Sequence, residues 1–344
     1  MKKAHPRSVA QVNGIVSFIN GLVDSGVESA GRVRFDADET NMLALELEQM
    51  RARVYETDYP ELKARRFIPV TNEVDTGAES FAYREDDYAG EAKVIRNFAD
   101  DPPSVETSSE KVVHSVLSLG DSYTYSIQDM RRAAFSGNPL SARKAIAARR
   151  VWERGLDSIA AFGAPGDGIP NGLLNKAVGT SAGQIRGSAI DTAADWTDAG
   201  LNADNMVEDL NIAVREMITD SKETYTPNRL LLPTVHFLRL SHARMSADNS
   251  ESAAEAFIRT NPWIEEIDSW DKLKEIDGTG GNNSRGLLYR ADPEVLELVI
   301  PQEFEVLPPQ VRNFAFKVLC HGRTAGTVVY KPLGLRYITG LPDA

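Results

Sequence analysis

The sequence predicts an α+β fold. Its helix-like and strand-like stretches are segregated instead of alternating, residues 79–126 form a long two-armed strand region, and a long helix with basic flanks follows at 141–162. At 344 residues the chain is long enough for two domains, or for one with a large insertion.

The N-terminus starts with a basic, polar tail over residues 1–8. Val12, Ile15, Val16, Phe18, Ile19, Leu22 and Val23 then suggest an amphipathic helix at 9–27, interrupted by Gly14 and Gly21. A stronger helix covers 40–55, with acids early and arginines late, as the macrodipole prefers, and Pro60 ends that region. "ARRFIPV" (64–70) is expected to be a strand. In the two-armed region, "ESFAYREDDYAGEAKVI" and "SVETSSEKVVHSVLSLGDSYTYS" are the arms, and "RNFADDPP" is the connection. A short helix, "IQDMRRAAF", is cut off by "SGNP".

In the helix at 141–162, Ala142, Ala145, Ile146, Trp152, Leu156, Ile159 and Ala160 form the expected apolar stripe, while Arg143, Lys144, Arg149, Arg150 and Arg154 occupy the other faces. A Gly/Pro loop (163–175) leads to a mixed block. There "NADNMVEDLNIAVREMIT" and "ESAAEAFIRT" are helices and "RLLLP" is a buried strand. "DGTGGNNS" is a loop, and strands fill the tail from 286 onward. There is no internal repeat.

Several classes of function are disfavoured. No apolar run approaches the roughly 18 residues a membrane span needs. "MKKAHPRSVAQVNG" lacks the apolar stretch of a secretory signal. The single cysteine, Cys320, leaves no internal disulfide framework and fits a reducing cytosol. A net charge of −12 argues against a dedicated nucleic-acid binder, which must neutralise phosphates.

Catalytic patterns are weak. "GAPGDG" follows a helix and lacks a closing Lys-Ser/Thr, so it is a turn. His236 and His242 are six apart, off the one-face spacing of metal ligands. Cys320 and His321 adjoin in a strand and should point to opposite faces, making Cys320 a small core thiol. Trp196, Trp263 and Trp270 are expected in core or interface packing. No catalytic, cofactor or metal site is predicted.

Charge is the stronger signal. Residues 75–110 hold ten acids, among them Glu85, Asp86, Asp87, Glu91, Asp100 and Asp101, against three bases; residues 127–154 hold seven bases against two acids. A two-stranded ribbon is only marginally stable alone. One this polar is expected to lie on an outside surface, and a basic helix on another copy of the chain would suit it. Gly77, Gly90 and Gly120 are expected hinges.

The order of elements resembles the major capsid proteins of tailed bacteriophages with the Hong Kong 97-type fold, specifically a subgroup once catalogued as a domain of unknown function; encapsulin shells share the fold. The segments that carry the resemblance are "VYETDYPELKARRFIPV", "GAESFAYREDDYAGEAKVIRNFADDPPSVE", "YTYSIQDMRRAA" and "LPPQVRNFAFKVLCHGRTAGTVVYKPLGLRYITG", within about 42–340. It implies an N-terminal arm (1–63), a P-domain strand (64–74), a projecting E-loop (75–119), a P domain (120–203) with a spine helix (141–162), an A domain (204–301) and returning P-domain strands (302–344).

It also implies pentamers and hexamers that close into an icosahedral shell around double-stranded DNA, with no sequence-specific binding and no membrane. The virion would be assembled in a bacterial host's cytoplasm. A built-in scaffold would not fit in 1–63, so a separate scaffolding chain is implied, beside portal and cement proteins. The prototype's lysine–asparagine crosslink is not expected: Lys93 is the one lysine near the tip, Lys111 lies further down, and no partner asparagine is identifiable. The alternatives are an encapsulin-like compartment shell or a soluble α+β enzyme.

Overall fold

The computed structural model describes residues 61–92, 104–136, 140–181, 183–190, 193–246, 251–274, 276 and 284–342. The helices expected at 9–27 and 40–55, the basic tail, Lys93, Asp100 and Asp101 lie outside them.

The segment at 64–70 corrects the expectation of a strand. Ala64–Phe67 is a helical turn, α1, and only Val70–Thr71 is extended, as β1. The cause is tertiary: the Ala64 amide donates to the Asp157 carboxylate at 2.9 Å, which caps the turn from 93 residues away. Pro69 then ends helical geometry.

The two-armed region is a hairpin of β2 (Ser80–Ala89) and β3 (Glu106–Ser115), paired antiparallel from Ser80↔Ser115 to Ala89↔Glu106. The second arm is not continuous. It breaks at Val116, and β4 (Leu117–Ser126) joins a different sheet, where it pairs with β12 (Ala315–Thr324) along its whole length. That sheet also holds β10 (Gln302–Val306) and β11 (Gln310–Arg312). Helix α2 (Ile127–Ser136) follows β4 directly. Ser126 and Asp129 cap its start reciprocally: the Asp129 amide donates to Ser126 Oγ, and the Ser126 amide donates to Asp129.

The long helix, α3 (Leu140–Phe162), buries Ala148, Trp152, Leu156, Ile159 and Ala160 at steps of three and four. Ile146 departs from the expected stripe. It lies six residues from Trp152, about 120° around the helix, and is 50% exposed. Trp152 crosses β12 where Gly322 leaves room; a Cβ there would lie 2.5 Å from the indole. Gly322→Ala is expected to destabilise by about 1–3 kcal/mol through overpacking, read as a lower midpoint in thermal unfolding.

The third block is built on a five-stranded sheet in the order β5-β14-β8-β6-β7: Arg186–Ala189, Leu335–Leu341, Ser284–Tyr289, Arg229–Leu232 and Glu266–Ser269. Leu231, Leu287, Tyr289 and Tyr337 face the core that contains α3. Leu230, Leu232, Leu288 and Ile338 face the opposite core, formed by α4 (Ala203–Asp220), α5 (Thr234–His242) and α6 (Ala253–Thr260). Alternation at period two therefore serves two cores, which is why Leu230, Leu231 and Leu232 form an unbroken apolar run after Arg229. A three-stranded sheet, β1-β9-β13, completes the body through Leu296–Val299 and Gly326–Val329.

Candidate assembly surfaces

The hairpin divides into a base that packs and an outer half that does not. At the base, Phe81 and Tyr83 join Val74 and Tyr330 against the buried Val116, Val299, Ala325 and Val328. Beyond it, Asp86, Asp87, Tyr88, Ala89 and Glu91 are exposed on one side and 104–111 on the other. Cross-strand register sharpens the charge problem: Glu85 faces Glu110 and Arg84 faces Lys111, like against like. Tyr88 at 72% and Val105 at 70% exposure add two apolar side chains that the charge count had passed over. Tyr88 stands at the opposite parity from Phe81 and Tyr83, the one sequence signal that could have marked it as outward-facing.

The basic helix presents a mixed surface. Arg149, Arg150 and Arg154 are exposed, together with Ile146 and Val151, the latter at 55%. Arg143 is half-buried. Lys144 is engaged within the chain, its Nζ donating to the Thr124 carbonyl at 2.5 Å, so it secures α3 to β4. The outward cations are therefore fewer than the five singled out from sequence, and apolar groups sit among them. Tyr88 and Val105 on one surface, with Ile146 and Val151 on the other, supply contact area that charge alone lacks.

The expected glycine hinges fall in three different settings. Gly77 lies in a turn, its amide donating to Asp75 Oδ1 at 2.9 Å. Gly90 sits just past β2, where a Cβ would lie 3.0 Å from Val105. Gly120 corrects the expectation: it pairs with His321 in the middle of the β4–β12 ladder, where hydrogen bonding holds it straight. The change of direction falls instead at Val116, whose amide donates to the Glu79 carbonyl at 2.9 Å.

Residues considered for catalysis are not gathered into a site. Cys320 is buried on one face of β12 and His321 is half-buried on the other. Burial first, and the neighbouring Asp121 second, push the Cys320 thiol up to about 11. A thiol reagent at about pH 8, below the ordinary thiol value of about 8.5, is expected to label Cys320 only once the chain unfolds. Equal rates in native and denatured protein would mean that β12 is open. His236 is fully buried in α5 beside the Trp196 ring, and His242 is exposed at the end of that helix. Trp196 and Trp270 are core residues, while Trp263 is 41% exposed. Among the described residues no group of three His, Cys, Asp or Glu side chains is placed to hold a metal ion.

Comparison with known proteins places this architecture. Residues 90–341 match a family model described as "Major capsid protein". A comparison with curated proteins returns no match. Among solved structures, the chain is similar to the capsid of Myoviridae phage XM1, with 21% identity over 87% of this chain and 98% of that one and a TM-score of 0.73. It is also similar to the capsid of a native GTA particle, at 12% identity over 89% and 99% with a TM-score of 0.61. Mycobacterium phage Ogopogo gives 11% identity over 88% and 99%, with a TM-score of 0.56. At these identities the likeness is one of fold, the Hong Kong 97-type.

Proposed function

We propose, because this chain belongs to the major capsid protein family, that each subunit lays the outer half of its hairpin across α3 of a neighbouring copy. The protein is a structural component of the phage virion, and its copies associate into the icosahedral shell. The further particulars rest on that membership together with the surfaces described above. Residues 75–119 act as the E-loop, 141–162 as the spine helix, and 204–301 as the axial domain. The segments at 64–74, 120–203 and 302–344 make up the peripheral domain, and 1–63 is the arm.

The observation that carries the reading is the outer hairpin itself. Over its described residues it is an exposed two-stranded ribbon that pairs with no other described strand, with like charges opposed across its strands and the exposed side chains of Tyr88 and Val105. A neighbour's Arg149, Arg150 and Arg154 neutralise it, while Ile146 and Val151 meet Tyr88 and Val105. A standard contact buries roughly 1,200–2,000 Å² in total. A subunit making several at once gains from multivalency, so modest single contacts sum to a strong wall. Heterologous contacts that close by rotation give rings, here pentamers and hexamers. The shell encloses double-stranded DNA, and an acidic subunit avoids gripping phosphate during packing. Assembly takes place in the host cytoplasm with a separate scaffold, a portal and cement proteins as partners.

The test is direct. Purified protein at moderate salt is expected to give rings or closed particles by size-exclusion light scattering and negative-stain microscopy. A monomer at high concentration overturns the reading.

A further inference from the structure

At the base of the hairpin the packing turns on a histidine. His114 on β3 is the register partner of Phe81. Its ring stacks on Phe81 at 5.4 Å and on Tyr83 at 5.7 Å. Tyr83 meets Tyr330 edge-on at 4.8 Å, and Tyr330 Oη donates to Glu297 at 3.1 Å. The chain from His114 through Tyr83 to Tyr330 thus runs from the hairpin into the body. His114 Nε2 is buried, with no hydrogen-bond partner.

We propose that His114 makes the hairpin base a pH-sensitive joint, closed while its imidazole is neutral and loosened when the imidazole takes up a proton.

A neutral ring can leave Nε2 as a bare acceptor at modest cost, whereas an imidazolium must place an N–H and a positive charge in that unpartnered spot. The charged groups around it come from several elements. Lys176, on the loop after α3, opposes a second positive charge. Glu85 on β2 and Glu110 on β3 share the ring's face of the ribbon but lie further out, and Glu297 and Glu73 surround Tyr330. The stacked rings themselves favour a cation. Burial and Lys176 outweigh them, holding His114 below the ordinary imidazole value. The closed joint therefore binds the proton less well than an open one. Its full stability is present above the ordinary value of about 6.5 and is lost as pH falls below it. The functional consequence is a subunit whose projecting limb is fixed in direction at neutral pH and free to swing in acid.

Hydrogen–deuterium exchange on the full chain tests this, at one fixed assembly state and corrected for intrinsic rates. Between about pH 7.5 and about pH 5.5, protection at residues 80–83 and 112–116 is expected to fall, by at most about tenfold. His114→Phe, which keeps the stack but cannot titrate, is expected to show no such fall. Lys176→Gln is expected to reduce it, because the opposing charge is gone. No fall in the parent, or an equal fall in His114→Phe, overturns the proposal. Should His114→Phe not fold, Lys176→Gln decides: a smaller fall supports the joint and an unchanged one overturns it. The measurement does not require a shell, so its failure and the failure of the shell reading are distinguishable.

Discussion

Arg149→Glu combined with Arg150→Glu is expected to abolish assembly while leaving the subunit folded. Both residues are exposed on α3, and Arg150 lies off the buried stripe of Trp152, Leu156 and Ile159. Arg149 shares the face of Leu156, seven positions on, and its charge acts on Glu303 of β10, so the folding control matters most for Arg149. Reversal sets four units of charge change against an outer hairpin that already carries Glu85, Asp86, Asp87 and Glu91. Like charges facing across an interface cost several kcal/mol. At 1.4 kcal/mol per tenfold, the concentration needed for assembly should rise by about a hundredfold or more. The measurement is light scattering against concentration, with thermal unfolding as the folding control. Two further variants make the result specific. Lys2→Glu with Lys3→Glu makes the same formal change and is expected to have a much smaller effect. Adding Asp86→Lys and Asp87→Lys to the α3 reversal sets opposite signs at the four substituted positions, while Glu85, Glu91 and Arg154 are unchanged, and is expected to recover assembly in part. Equal loss from the Lys2 and Lys3 changes would remove α3 as the landing surface.

Much of this arrangement was legible in the sequence. The hairpin arms and the long helix are local patterns, strand alternation in one and a three-to-four step in the other, so both could be placed without coordinates. Charge segregation between 75–110 and 127–154 could also be read directly. What escaped depended on partners far along the chain. Ala64–Phe67 is helical because Asp157 caps it, and nothing within the segment announces that. The alternation in "EKVVHSVLSLGDSYTYS" changes parity at Val116-Leu117, which marks a break in the strand, but which partners the two halves take, β2 for β3 and β12 for β4, depends on residues far along the chain. Apolar character misled at Ile146, which points outward, since hydrophobicity marks core and interface alike. His114 carried no sequence mark, because its significance lies in the stack and the buried Nε2.

Arg336 was equally illegible, and it supports the largest stability prediction. It lies on β14 with its side chain only 3% exposed, paired with Glu216 and Asp220 of α4 and donating to Ser188 Oγ at 2.8 Å. The guanidinium is the buried member, whereas both carboxylates are 44% exposed. That asymmetry predicts unequal costs. Replacing Glu216 and Asp220 together by Ala strands a buried cation that water cannot reach, and about 3–5 kcal/mol of destabilisation is expected. Arg336→Met leaves carboxylates that can turn to solvent and fills the space with an apolar chain, so about 1–2 kcal/mol is expected. Denaturant unfolding of the two variants measures the difference. Equal losses would show that the ion pairs act as surface contacts and that α4 is held to the sheet by its apolar face, through Met206, Leu210, Ala213 and Met217, alone.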